Sequence, residues 1–353
     1  MKKTIPKLLV LTLFSIYLIS CSSTQSNKTD LVIFPAPPDT TRIQFLKAYS
    51  TSVDVTGSRS GFERFILGNE TISVVGKPYG IAIGKGKFYV CDSQTNSIEI
   101  FDFSNKQFDN FKPTGFGEFK KPLNCWIDES GYLYVADYER KDIVIFDDKL
   151  NFVKNIGAGQ LVKPTDVCVY KDRIYVADLK SATINIYSKT DYSMVNSFPS
   201  KDVSDSAMLR QPTNLTVCND VIYVTDFGSF NVKKYDLNGN FLGYFGTYGN
   251  MNGQFVRPKG IASDKDDNIY VVDAGFENVQ IFRPDGKLLM FFGGAYKGPG
   301  YMYMPAKVSI DYQNVDYFKR YVDISFNLKY LIFVTNQYGP DKISVYGFVE
   351  PKN

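Results

Sequence analysis

The 353-residue chain contains no histidine. That absence removes the commonest general base, every Ser or Cys triad built on imidazole, and every His-ligated metal site. Chemistry here would have to run through carboxylates, Tyr, Lys or an oxygen-ligated metal, and no catalytic residue is assigned. Cysteine is scarce: Cys21 lies near the start, and Cys91, Cys125, Cys168 and Cys218 are spread too widely for a zinc cluster. An excess of charge is missing as well. Residues 1–20 hold Lys2, Lys3 and Lys7 and no acid, so the remainder carries 37 basic against 37 acidic residues. A neutral chain has no global electrostatic pull toward nucleic acid. The apolar run from Leu8 to Ile19 is shorter than the ~20 residues a membrane-spanning helix needs.

What the sequence has instead is repetition. A Tyr-Val-x-Asp phrase places its acid at Asp92, Asp137, Asp178, Asp226 and Asp273, and the degenerate FVTN closes the series at Asn336. A proline precedes each copy: Pro78, Pro122, Pro164, Pro212, Pro258 and Pro305, in steps of 44, 42, 48, 46 and 47 residues. A period of roughly 40 to 50 belongs to blade-forming repeats. Within Arg257 to Gly293 four β-rich runs, GIAS, NIYVV, NVQIF and KLLMFF, alternate with turn-forming Asp, Asn, Gly and Pro. Each repeat therefore reads as a four-stranded antiparallel sheet, and six such sheets bury their faces by packing in a ring. The expected fold is all-β, a six-bladed β-propeller over residues 42–350. The sixth repeat ends after KISVYGF (342–348) without a fourth strand. RIQFLKAYS (42–50) supplies it in this reading, latching the first residues onto the last blade and closing a monomeric ring.

The stretch GQFVRPKGIASDKDDNIYVVDAGFENVQIF resembles the NHL repeat, over residues 78–349 plus the latch. NHL propellers include scaffolds, sensor domains, RNA binders and an amidating lyase, so the resemblance implies a fold and leaves the function open. The Arg usual in that family five residues after the Asp is replaced by Ser97, Asp142, Thr183, Asn231 and Asn278, which weighs against RNA binding.

Residues 1–20 read as a secretory signal, with Lys2 and Lys3 ahead of the apolar run. Leu18-Ile19-Ser20-Cys21 resembles the bacterial lipobox, which implies cleavage before Cys21, diacylation of its thiol (palmitate or a similar chain) and attachment to the membrane through that lipid. Residues 21–41 then form a tether, flexible through SSTQSNKTD and stiffer at PAPP. The expected location is the cell envelope, as an outer-membrane lipoprotein facing the periplasm; the inner membrane and the cell surface remain open. In that oxidising compartment a Cys125 to Cys168 disulfide is open, because their opposite parity after Pro122 and Pro164 lets both face the interface of blades two and three. Cys91 reads as a small buried hydrophobe.

Two candidate sites follow. The residues two past each proline, Gly80, Asn124, Asp166, Asn214, Gly260 and Lys307, should ring the axial channel. Asn124, Asp166 and Asn214 resemble the oxygen ligands of the gluconolactonase and regucalcin family, which implies a calcium-type divalent cation and a metal-dependent lactonase or esterase. Against this, Gly76 and Lys77 stand where that family has a Glu, and Lys307 on the opposite blade competes for Asp166. A polar channel closed by an Asp166 to Lys307 link, with no cofactor, is the other reading. The repeated Asp is expected to be structural, accepting backbone N–H groups at its turn.

The second candidate is a face. One end of the ring carries the channel entrance, the insert 52–77, the loop 200–211 and the turns after each Asp. Those turns present Tyr138, Arg140, Phe227, Phe230, Phe276 and Tyr338, residue types that binding hot spots use. The expected role is a binding or scaffold protein that holds an envelope protein or peptide on this face. At the opposite end blade six has about 16 extra residues. There Val315, Phe318 and Val322 share a helical face that either packs under the propeller or binds a partner.

Overall fold

Every anchor proline begins the innermost strand of a sheet: Pro78–Gly84, Pro122–Ile127, Pro164–Tyr170, Pro212–Cys218, Pro258–Ser263 and Pro305–Asp311. In the computed structural model, which describes residues 31–200 and 202–352, these strands neighbour one another in a closed ring. Five sheets have four antiparallel strands and the sixth has five. The chain is a six-bladed β-propeller. The expected signal segment, Cys21 and the expected tether up to Asp30 lie outside the described residues.

Pro suits the first position of each inner strand, where no ladder N–H is required. The second strand of each blade carries the Tyr-Val-x-Asp phrase and is buried on both faces, as in Leu133–Asp137. Tyr134 faces the core between blades two and three while Val135 faces the core between blades one and two. Six such interblade cores hold the ring together, and the alternation of side chains along one strand feeds two of them. Outer strands are half exposed, as in Met194–Phe198.

The latch forms as expected. Ile43–Tyr49 pairs antiparallel with Ile343–Pro351, from Ile43 opposite Phe348 to Tyr49 opposite Ile343. Tyr49 inserts against Phe88 and Phe101 of blade one, with ring centroids 5.2 and 5.7 Å away, so the latch also seals the last interblade core. A short strand, Ile33–Phe34, adds a fifth member outside it, which the sequence reading left in the tether. The insert 52–77 forms two short helices, α1 (Val53–Thr56) and α2 (Gly61–Leu67). In α2, Ser60 and Glu63 make a capping box. Phe62, Phe65, Ile66 and Leu67 of α2 are exposed. In blade six, α3 (Val315–Phe318) buries Phe318 in the core between blades six and one, with Tyr321 and Val322 beside it.

One expectation is corrected. Cys125 and Cys168 do point to opposite sides of their strands, but away from each other. Cys125 packs with Cys91 between blades one and two, and Cys168 lies between blades three and four. All four described thiols are free. Parity along a strand fixes the relative facing of two residues, and which face looks toward which neighbour depends on the direction in which the ring is wound.

Candidate functional site

The repeated acid organises the entrance end. Asp92 accepts the backbone N–H groups of Gly76 and Lys77, at 2.6 and 3.0 Å, and of Gln94 at 2.8 Å. Asp137 does the same for Lys120, Lys121 and Arg140, Asp178 for Val162 and Lys163, Asp226 for Arg210 and Gln211, and Asp273 for Val256 and Arg257. These carboxylates are fully buried, and charged hydrogen bonds to otherwise orphaned N–H groups offset the cost of burying them. The consequence is positional: in five blades the residue just before the anchor proline is tied to its own blade's Asp. Equivalent residues therefore stand at equivalent points around the channel mouth.

Those residues are Lys77, Lys121, Lys163, Gln211, Arg257 and, without the Asp, Met304. Four of the six are basic. Lys121 is paired with Glu139 at 3.3 Å. Among the described residues, Lys77, Lys163 and Arg257 have no ion pair, and they belong to blades one, three and five. Lys77 and Lys163 lie instead over the tyrosines that follow the Asp or Asn of the preceding blade: Lys77 Nζ is 5.2 Å from the Tyr338 ring centroid, and Lys163 Nζ is 4.8 Å from that of Tyr138 and 2.8 Å from its hydroxyl. Lys259, one past its proline, sits nearer the axis over the Tyr79 ring at 5.3 Å. Its carbonyl is held by Thr225 Oγ1 at 2.6 Å. Burial, with the like charges of Arg257 and Lys77, pulls the Lys259 ammonium down to about 8.

One step deeper the channel ring is closed. Lys307 Nζ meets Asp166 Oδ2 at 2.5 Å, both side chains essentially buried. The same oxygen accepts Asn214 Nδ2 at 3.1 Å and Leu215 N at 3.0 Å, while Oδ1 accepts Val167 N at 3.0 Å. Asn124 directs its amide N–H to Thr165 O at 2.8 Å. The structure thus brings Asn124, Asp166 and Asn214 together, with the amide oxygens of both asparagines buried and unpartnered. Gly80 and Gly260 complete the ring because the next blade leaves no room: a Cβ would lie 2.4 Å from Asn124 Cα and 2.6 Å from Lys307 Cα. Beyond the plug, a cavity of about 210 Å³ opens at the opposite end, lined by Ile81, Trp126, Val217, Ile261 and Ile310 among others.

The six face residues named from sequence are all at the entrance end, with different freedom. Tyr338 is exposed; Tyr138, Phe227, Phe230 and Phe276 are half-buried. Phe230 packs on Phe227 and Tyr248 at 5.9 and 4.8 Å. Arg140 is committed to structure, forked onto Asp142 at 2.9 Å and donating to the carbonyls of Phe116 and Glu118. The sequence reading missed Lys259 and Tyr79, and it took Lys77 only as a departure from a metal site, without the basic series at the pre-proline positions. The signal was present in the dipeptides KP, KP, KP and RP at four of six anchors.

No protein family model matches the chain, and no curated protein matches its sequence. Among solved structures, similarity extends to a streptogramin B lyase with 15% identity and a TM-score of 0.54, covering 78% of this chain and 84% of that one. The virginiamycin B lyase from Staphylococcus aureus has 16% identity and a TM-score of 0.53, with 76% and 80% covered. A structural genomics protein of unknown function from Bacteroides thetaiotaomicron has 14% identity and a TM-score of 0.58, with 88% and 76% covered. At these identities the likeness is one of fold, the six-bladed propeller.

Proposed function

We propose that this protein is a lipid-anchored binding module of the cell envelope, built from NHL-type repeats, that holds a protein or peptide partner on the entrance end of its propeller. The observation that carries this reading is the collar of lysines and tyrosines, Lys77 on Tyr338, Lys163 on Tyr138 and Lys259 on Tyr79, around a channel plugged by Lys307 and Asp166. Aromatic and cationic groups on a rigid scaffold are what protein recognition uses. A plugged channel offers a surface in place of a deep cleft. Exposed Phe116, Tyr248, Met251 and Tyr296 in the loops between blades, together with α2, extend the apolar part of the same end.

Two enzymatic readings have less support. A solved virginiamycin B lyase variant is described as catalytically inactive after a histidine-to-alanine change, and this chain has no histidine. A lactonase or esterase would need a divalent cation at Asn124, Asp166 and Asn214. The two free amide oxygens suit a cation, but the single carboxylate already receives the Lys307 ammonium. As arranged, the set does not fit a divalent ion, and no catalytic step is derived through one.

Photo-crosslinking in native membranes tests the binding reading. A benzophenone side chain at position 338 or 230 should capture a discrete envelope protein, and one at position 317, at the opposite end, should not. Capture at 317 alone, or at none of the three, would refute the assignment of the face.

A further inference from the structure

We infer that the partner presents clustered carboxylates, as an acidic peptide segment, to a trigonal set of cations formed by Lys77, Lys163 and the Arg257 and Lys259 pair. This rests on the entrance end being the binding face and goes on to name the chemistry it takes.

Because each pre-proline N–H is bound to its blade's Asp, six equivalent positions surround the mouth. Alternate ones have been stripped of positive charge: Lys121 is paired with Glu139, and Gln211 and Met304 are neutral. Of these six positions, the cations with no ion pair among the described residues stand on blades one, three and five, about 120° apart in a six-bladed ring. The nearest buried carboxylate on the axis, Asp166, is already satisfied by Lys307 and by backbone and amide donors.

Energetics point the same way. Lys259 is half-buried and faces Arg257 and Lys77, two like charges, with the neutral Tyr79 phenol as its close neighbour. A folded protein holding such a group carries an unfavourable electrostatic arrangement that an anion would relieve. Several anionic groups at once match the spread over three blades better than one, and lysine ammonium groups accept carboxylates from many directions. One face each of Tyr79, Tyr138 and Tyr338 is occupied by an ammonium group, which reduces the area these rings offer for the base stacking on which single-stranded nucleic acid depends.

The test uses the full chain in detergent and a fluorescein-labelled octaglutamate, followed by anisotropy, with octaglutamine, citrate and octathymidylate as parallel probes. Octaglutamate should bind at least about tenfold more tightly than octaglutamine, with affinity falling as salt rises. Lys77→Met, Lys163→Met and Lys259→Met should each weaken it about fivefold, and Lys149→Met, at the other end of the ring, should leave it unchanged. No octaglutamate binding at about 1 mM, tighter binding of octathymidylate, binding of citrate alone, or indifference to all three lysine variants would each overturn the inference. Crosslinks at position 338 that persist while octaglutamate fails to bind would discard the carboxylate chemistry and leave the binding face standing. Loss of both would remove the face itself.

Discussion

Lys307 reaches across the axis of the propeller from blade six to Asp166 on blade three, and their 2.5 Å contact is the only direct side-chain ion pair between opposite blades among the described residues. Removing one partner of a buried pair leaves the other charged and unpaired, which is far more costly than removing both. Lys307→Met should therefore lower stability by about 3–5 kcal/mol, seen as a fall in the urea midpoint. The Lys307→Met, Asp166→Leu double variant should recover most of the loss. A single variant as stable as the parent would show that the pair holds nothing together.

The same contact decides between the cation and the plug. If Lys307 neutralises Asp166, calorimetric titration of the wild-type chain with calcium should show no binding, and Lys307→Met should acquire some, because two buried amide oxygens and a bare carboxylate then face the channel. Micromolar calcium binding to the wild type, with a melting temperature rising with the logarithm of calcium concentration and lost in Asp166→Asn, would promote the hydrolase reading.

Closure of the ring yields a separate expectation. Deleting residues 42–50 removes the strand paired with Ile343–Pro351 and the Tyr49 ring from between Phe88, Phe101 and Phe318. The truncated chain should melt earlier and aggregate through the exposed edge. Unchanged melting and a monomeric sedimentation profile would mean that the latch is dispensable.

How far the sequence could be read follows from what repeats and what does not. Six prolines and six Asp or Asn residues fixed the blade number, the strand that closes the ring and the structural role of the acid, because each is a backbone requirement renewed in every copy. Lys307 and Asp166 were legible as opposite members of a six-fold ring. The facing of Cys125 was not, since parity cannot say which neighbour a strand face meets. Nor were the helices of the 52–77 insert, whose capping box at Ser60 and Glu63 occurs once and outside the repeat. Lys259 escaped notice because its character comes from Arg257, Lys77 and Tyr79 converging from two blades, a relation that no local window contains.

The N-terminal expectation can be checked independently of the fold. Cys21→Ser should abolish incorporation of labelled palmitate and release the protein from the membrane fraction, because only that thiol lies at the lipobox-like cleavage point. Equal labelling of the variant would end the lipoprotein assignment.

Lys259 ties stability and binding to pH with opposite consequences. Its ammonium is held near 8 in the folded chain, against about 10.4 for an ordinary lysine. Below pH 8 both the folded and unfolded chains carry the proton, and the folded chain bears the full cost of the buried charge. Between pH 8 and about 10.4 the unfolded chain binds more protons, so this residue's contribution makes stability rise with pH across that window. The like charges that face it are Arg257 and Lys77, it lies over the Tyr79 ring, whose other charged neighbour Asp166 is taken up by Lys307, and it has no ion pair among the described residues. Replacing it by Met should therefore raise the melting temperature at pH 7, by roughly 2 °C for a change on the order of 1 kcal/mol. Affinity for octaglutamate should move the other way: it should fall as pH rises from 7 to 9 in the wild type, stay flat in Lys259→Met, and stay flat but tight in Lys259→Arg, whose guanidinium does not titrate there. A wild-type affinity independent of pH across that range would show that Lys259 takes no part in holding the anion, even if the outer cations do.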